Sequence, residues 1–311
     1  MLEGKAVVVT GAGRGIGAAY AKGAARQGAR VLVNDIDAEP AEQTVEAIRS
    51  AGGKAASCVA DISDWEQAGR LIHTCMELFG RIDGLVNNAA VYNRASITAF
   101  DPIAARAMVE VNVLGTLYCA AQAVKPMVEQ GAGSIVNVTS GAHMGIPGLG
   151  IYGATKGAVA SMVYGWALDL AGTGVRVNAI SPFGATSISS NSARYLNRRY
   201  GTNYSEAEEP APPHMQPPEA NAPVVEYLLS DEAADVTGQL VRIDSGELQI
   251  YTHPALLLPP VVREQWTAQD VAAAFANELR DRLVPCGVMG IEQGPVDLQS
   301  GYWKRETRSG G

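Results

Sequence analysis

Short apolar runs occur at residues 6–10, 30–35, 55–60, 84–88, 134–139, 175–180 and 239–243. Their apolar character is nearly continuous, without alternation to polar residues, so both faces of each strand are expected to be covered, as in a parallel sheet. Longer stretches at 41–50, 65–79, 104–123 and 152–170 carry apolar residues at helical spacing. Strand and helix in regular turn predict an α/β fold, a Rossmann-type doubly wound sheet of seven parallel strands with helices on both faces. This domain is expected to occupy residues 1–250.

Two segments break the rhythm. Residues 187–222 are polar and then proline-rich, with Pro210, Pro212, Pro213, Pro217 and Pro218. So long an irregular insertion reads as a lid over a binding site or as a solvated excursion, and we take the lid reading. Residues 251–311 form a C-terminal extension. It contains one predicted helix, with Thr267 as N-cap and Val271, Ala272, Phe275 and Leu279 on one face. The extension is too small for a stable core of its own, so it is expected to pack on the body or on a neighbouring subunit.

Charge and cysteine content narrow the function classes. The 311 residues carry 24 Lys and Arg against 32 Asp and Glu, a net charge of −8. With no basic run to offset that balance, nucleic-acid binding is not expected. The four cysteines (Cys58, Cys75, Cys119, Cys286) are widely separated and form no C-x-x-C pair, which suits a reducing, cytoplasmic setting. The start of the chain does not read as a signal peptide, the apolar runs look too short to span a bilayer, and the four histidines lack metal-ligand spacing.

The first chemical motif is Thr10-Gly11-Ala12-Gly13-Arg14-Gly15-Ile16-Gly17, between the first strand and the first helix. Glycine lets the chain turn sharply and brings its backbone against a pyrophosphate. The free N–H groups of a helix start then favour that phosphate. The second strand ends Val33-Asn34-Asp35. A carboxylate there accepts hydrogen bonds from both ribose hydroxyls and repels a 2′-phosphate, which favours NAD over NADP. Arg14 offers the opposite reading, a guanidinium holding a 2′-phosphate; we read it as a solvent-facing charge near the diphosphate.

Further motifs follow in order: Asn87-Asn88-Ala89-Ala90, Asn112 within a helix, Ser140 after the fifth strand, Tyr152-Gly153-Ala154-Thr155-Lys156, then Asn178 and Pro182 around the end of the sixth. With the glycine loop as T-G-x-x-x-G-x-G, this set resembles the classical short-chain dehydrogenase/reductase family over roughly residues 4–246. Its N-N-A-G motif is present with alanine in the last place, and its Y-x-x-x-K signature is intact. The resemblance implies cofactor contacts from Gly11, Arg14, Gly15, Ile16, Gly17, Asp35, Asp61, Ile62, Asn88, Tyr152, Lys156, Pro182 and Thr186. Asp61 would meet the adenine, or cap the helix after Ser63.

The resemblance also implies catalytic roles. Tyr152 and Lys156, four residues apart, share one helix face. An ammonium nearby would lower a phenol from its usual value of about 10, making Tyr152 a usable general acid and base. Lys156 would also hold the nicotinamide ribose, Ser140 would hydrogen-bond the substrate oxygen, and Asn112 would anchor a water linking Lys156 to solvent.

Departures from the family pattern concern the substrate side. Where the family has Pro-Gly, this chain reads Pro182-Phe183-Gly184-Ala185-Thr186-Ser187. The hydroxyl near the cofactor carboxamide is then Thr186 or Ser187, and Thr186 is preferred. Ser140 and Tyr152 are only twelve positions apart, about one fewer than the family pattern, which leaves Thr139 as an alternative hydroxyl. His143, Met144 and Phe183 are candidate substrate contacts or plain pocket wall. The expected activity is NAD-dependent interconversion of a secondary alcohol and a ketone on a bulky apolar small molecule. A 3-hydroxyacyl-CoA dehydrogenase is the alternative, with Arg194, Arg198 and Arg199 near the pocket mouth. A silent NAD-binding sensor is a third reading. A homotetramer or homodimer through the helices of Asn112 and Tyr152 is implied.

Overall fold

Four successive buried residues, Ala6-Val7-Val8-Val9, make the first strand, and the same all-apolar habit builds most of the sheet. The computed structural model describes residues 1–184, 188–207, 216–244, 246–256 and 258–283. The strands are β1 (Ala6–Val9), β2 (Arg30–Asp35), β3 (Lys54–Val59), β4 (Gly84–Asn87), β5 (Gly133–Val138), β6 (Val175–Pro182), β7 (Leu240–Asp244) and β8 (Glu247–Ile250). They pair in the order β3-β2-β1-β4-β5-β6-β7-β8. The first seven are mutually parallel. β8 runs antiparallel to β7 and makes the sheet eight-stranded, one more than the sequence pattern predicts. Its cue is the Ser-Gly dipeptide at 245–246 before the alternating Glu247-Leu248-Gln249-Ile250.

Helices lie on both faces: α1 (Gly15–Arg26), α2 (Ala38–Ser50), α3 (Trp65–Phe79), α4 (Pro102–Met108), α5 (Thr116–Gln130), α6 (Gly150–Asp169), α7 (Ile188–Tyr200) and α8 (Ala222–Leu229). One core cluster joins side chains of α3, α4, α5 and α6 to one sheet face, including Leu71, Met108, Met127 and Val163. A second joins α1, α2 and α8 to the other, including Tyr20, Val45 and Leu228. Because β1 lies between β2 and β4, the chain winds outward in both directions, and a crevice opens at the carboxyl ends of these central strands.

Local chemistry sets the element ends. The Asp64 carboxylate accepts from Gln67 N at 2.9 Å and starts α3, which Gly80 ends at φ +74°. Asp101 caps α4, with Pro102 in its first turn. The helical run does not stop at Ala123 as the apolar pattern suggested. It covers Pro102–Gln130, with a π-helical segment, Val109–Gly115, in the middle. By length and composition this run could cross a membrane, contrary to the sequence reading; half of its most apolar window is buried in the domain, as in a core helix.

The insertion also departs from expectation. Residues Ile188–Tyr200 are helical, with Ser192, Ala193, Tyr195 and Leu196 buried on one face. The serines made this segment look polar, yet they are short enough to be buried. Pro210, Pro212 and Pro213 lie outside the described residues, as does Cys286; Cys58, Cys75 and Cys119 are free and buried.

The chain divides into two compact units, Met1–Tyr251 and Thr252–Gly311. In the second, α9 (Ala268–Ala274) starts at Thr267 with a reciprocal Thr267–Asp270 capping box. Val271 and Phe275, on its expected buried face, are exposed, and Ala274 is buried instead.

Candidate active site

The glycine loop joins β1 to α1. Gly11 and Gly15 take φ of +59° and +55°, a region closed to most side chains. A Cβ on Gly13 would stand 2.7 Å from the Asp35 carboxylate, and one on Gly17 2.3 Å from the Gly11 carbonyl and 2.4 Å from the Asn88 amide. This is a backbone cradle that side chains would fill, and it fits a dinucleotide diphosphate. Thr10 Oγ1 accepts from the Asn88 and Ala89 amides, and Asn88 Nδ2 donates to the Thr10 and Gly11 carbonyls at 2.9 and 3.0 Å. Asn88 thus ties the end of β4 to the loop.

Asp35 stands at the end of β2. Its Oδ2 accepts from Gly13 N at 3.0 Å and its Oδ1 from Asp37 N at 3.1 Å. Burial pushes its carboxyl above the usual range, against the opposing pull of those hydrogen bonds and of Arg14. Arg14 itself pairs with Asp37 at 3.0 Å, and Arg198 of α7 reaches the same carboxylate at 2.5 Å. Arg14 is therefore a paired guanidinium whose side chain is still 38% exposed.

At the end of β3, Asp61 accepts from Ser63 N and Oγ and from Arg199 Nη1, the last at 2.7 Å. It closes a turn; the helix cap is Asp64. Ile62 is buried against Gly115, and Ile16 packs near Gly184. Pro182 closes β6. Phe183 N donates to Asn221 Oδ1 at 3.2 Å. Thr186 and Ser187 lie outside the described residues.

Facing this loop, α6 presents Tyr152, Thr155 and Lys156 on its buried face. Lys156 Nζ donates to the Val138 carbonyl at 2.7 Å and sits 5.8 Å from the Tyr152 ring centre. Ser140 starts a 3-10 turn, Gly141–Met144, that holds His143 and Met144. The phenol of Tyr152 is hydrogen-bonded to Ser140. Thr139 Oγ1 donates to the Lys156 carbonyl at 2.8 Å, so that alternative hydroxyl is committed to the helix backbone. Asn112 is fully buried within the π-helical segment. Its amide accepts from Val91 N at 2.7 Å and donates to the Val91 carbonyl and to Thr155 Oγ1, linking the strand-end loop to α6. Its own carbonyl accepts from Thr116 Oγ1.

Electrostatically the pair differs from the simple expectation. Burial pushes the Tyr152 phenol up, the Tyr92 ring adds to that, and only the Ser140 hydrogen bond opposes it. Burial also pushes the Lys156 ammonium down to about 8. Desolvation of both groups outweighs their mutual attraction. Tyr92, which sequence reading did not single out, lies edge-on to Tyr152 with ring centres 5.1 Å apart. Its backbone N–H donates to Ser192 of α7 at 2.8 Å. An aromatic four residues after Asn88 carries no motif, so nothing in the sequence flagged it.

The arrangement can bind a dinucleotide along one wall and exchange a proton at the other. A family model described as short chain dehydrogenase matches residues 5–197. The chain is 38% identical to an uncharacterized oxidoreductase of Methylorubrum extorquens, over 79% of this chain and 98% of that one. It superposes on a short chain dehydrogenase from Mycobacterium avium with a TM-score of 0.75 at 30% identity, covering 90% of this chain and 95% of that one. A gluconate 5-dehydrogenase from Burkholderia cenocepacia, solved with NADP and tartrate, matches with a TM-score of 0.67 at 29% identity, over 79% and 95% of the two chains. The chain belongs to the short chain dehydrogenase family, nicotinamide-dependent oxidoreductases acting on CH–OH groups.

Proposed function

We propose that this protein interconverts a secondary alcohol and a ketone with NAD, with Tyr152 as general acid and base. The observation that carries the reading is the meeting of Tyr152, Ser140 and Lys156 in one buried cluster opposite the glycine cradle. Nicotinamide, when bound, supplies the hydride acceptor or donor. Gly11, Gly15, Ile16 and Gly17 would hold its diphosphate, Asp35 and Asp61 the adenosine, and Lys156 the second ribose.

Tyr152 takes the hydroxyl proton in oxidation and returns it in reduction. Burial favours the protonated phenol, the form that protonates a developing alkoxide in reduction; in oxidation the phenol must first give up its own proton before it can take the hydroxyl proton. Lys156, pulled down to about 8, still carries its ammonium at neutral pH and sits beside the phenol. The Ser140 hydroxyl donates to the substrate oxygen and stabilises charge there. Asn112 holds α6 through Thr155 and Val91, a positioning duty.

For the cofactor, Asp35 supports NAD, because a 2′-phosphate would meet a carboxylate already fixed by Gly13 and Asp37. The guanidiniums that could offset it, Arg14 and Arg198, are both paired with Asp37. For the substrate, apolar and aromatic groups lie around the reacting phenol and along the Ser140 turn: Tyr92, Met144 and Tyr251. They support a substrate with a bulky apolar body. The hydroxyacyl-CoA alternative loses support, since Arg194, Arg198 and Arg199 pair with Glu206, Asp37 and Asp61.

The test is a panel of cyclic and aromatic secondary alcohols, and hydroxyacyl-CoA thioesters, with NAD and with NADP, following the absorbance of reduced cofactor. Turnover of cyclic or aromatic alcohols with NAD preferred is expected. Turnover of thioesters alone, or no turnover by a protein that binds NAD, would overturn the reading.

A further inference from the structure

The strand that follows the family's seven, β8, leads directly into Tyr251. Its backbone N–H donates to the Leu240 carbonyl at 2.9 Å, continuing the β7–β8 ladder by one residue. The side chain turns to the catalytic face of the sheet and packs on the core cluster that contains Tyr152. Its hydroxyl donates to Ser181 Oγ at 3.1 Å, and the Arg242 guanidinium hydrogen-bonds to it as well. The ring meets His143 edge-on, centres 5.2 Å apart and planes at 65°.

His143 in turn grips Ser140. Its ring Nδ1 lies 2.6 Å from the Ser140 carbonyl, and its backbone N–H donates to the same oxygen at 3.1 Å. A carbonyl only accepts, so Nδ1 carries the ring proton. The turn that bears Ser140 ends at Gly145 with φ +110°, and within it Ala142 N donates to Ser140 Oγ at 3.2 Å and Gly145 N to the Ala142 carbonyl at 3.1 Å. From the α6 side, the close approach of Gly153 to the Ala142 carbonyl holds it. From the other side, the Tyr251 ring packs on His143, and Thr139 N is tied to the Ile180 carbonyl of β6 at 2.8 Å.

We infer that Tyr251 is a positioning residue for the reaction: through His143 it fixes the turn that presents Ser140 to Tyr152 and to the substrate oxygen. A strand beyond the family-matched residues 5–197 thereby completes the proton-transfer side of the site. The inference rests on the role proposed above for Ser140.

The experiment uses the full chain and the variants Tyr251→Ala, Tyr251→Phe, Tyr251→Leu and Ser140→Ala. One readout needs no substrate: the ring Nδ1–H resonance of His143 in histidine-labelled protein, assigned with His143→Gln. The other is kcat and KM for 1-phenylethanol and for NAD. Tyr251→Ala should lose the His143 resonance and lower kcat roughly 10- to 100-fold, the scale of a misplaced catalytic group, with the KM for NAD within about twofold. Tyr251→Phe keeps the ring edge and should retain both signal and rate. If Tyr251→Ala melts below the assay temperature, Tyr251→Leu keeps the volume without the ring edge and should show the same two losses. An unchanged His143 resonance and kcat in Tyr251→Ala or Tyr251→Leu would overturn the inference. So would a loss of NAD binding in parallel with kcat, which marks a general structural role. A fully active Ser140→Ala, or a wild-type protein that ignores 1-phenylethanol and every other secondary alcohol, would instead sink the functional reading, while the His143 resonance still decides the brace.

Discussion

On the cofactor side of the crevice, residues 10–17 hold Asp35 and Asn88 through short contacts to backbone amides and carbonyls. On the proton-transfer side, Tyr152 and Lys156 of α6 are buried and meet the half-buried Tyr92 and Ser140 from two other stretches of chain. The first side works by shape, because a Cβ on Gly11, Gly13 or Gly17 would stand within 3 Å of neighbouring atoms. The second works by burial, which moves the phenol up and the ammonium down. Binding and chemistry therefore have different weak points, and substitutions can separate them.

The largest separation is expected from Lys156→Met. Turnover should fall by about 10³-fold, within the range that acid–base groups contribute, while the cofactor's diphosphate end still binds. The same change tests the burial claim through stability. Lys156 titrates at about 8 in the fold against an ordinary value of 10.5, so between those values this side chain holds its proton more in the unfolded chain than in the folded one. Lys156 therefore adds stability as pH rises from about 8, while above about 9 the buried Cys75 and Cys119 thiols, pushed up to about 12, take stability away, so the wild-type gain is confined to about pH 8 to 9. Above 10 the unfolded tyrosines ionise while the buried Tyr20 and Tyr152 hold their protons, and stability should fall. The methionine variant should lack the Lys156 contribution and lose stability more steeply than the wild type between about pH 8 and 10, as melting temperatures across pH would show.

Gly17→Ala attacks the other side. Its Cβ would stand 2.3 Å from the Gly11 carbonyl, an overpacking of about 1–3 kcal/mol. Cofactor affinity should drop roughly 100-fold in a fluorescence titration with NADH, the cost falling on a loop that must keep its shape to bind. Near-normal affinity would mean that the loop is looser than described. A smaller effect is expected from Asp35→Asn, which removes the charge and keeps one acceptor oxygen where the carboxylate offers Gly13 and Asp37 one each. The NADP to NAD ratio of kcat/KM should rise about tenfold, a little over 1 kcal/mol. Smallest of all is Arg199→Ala. Its pairs with Asp61 and Glu110, at 2.7 and 3.5 Å, are partly exposed, so NAD affinity should change by about twofold at most and less at high salt.

Much of this contrast is legible in the amino-acid sequence. The glycine loop and Asp35 are read from contiguous residues or from a strand end, where local sequence dictates local geometry. The seven parallel strands are legible for the same reason, since each buries both faces. What stays hidden depends on long-range packing. Tyr92 reaches Tyr152 only because the loop that follows β4 packs with α6 in one core cluster. Tyr251 reaches His143 only because an eighth strand folds back on β7. The α7 helix escapes the apolar pattern because Ser190 and Ser192 are polar in sequence but buried in the fold. The lowering of the Tyr152 phenol by Lys156 is an inference from spacing, and spacing carries no information about desolvation.

The central claim is that Tyr152 moves the proton and does little to hold the cofactor. Its most direct test is Tyr152→Phe, comparing turnover of a secondary alcohol with the NADH dissociation constant in the same preparation. We predict that turnover falls by at least about 10³-fold, while the dissociation constant stays within about threefold. Retained turnover, or a loss of NADH binding as large as the loss of rate, would contradict it.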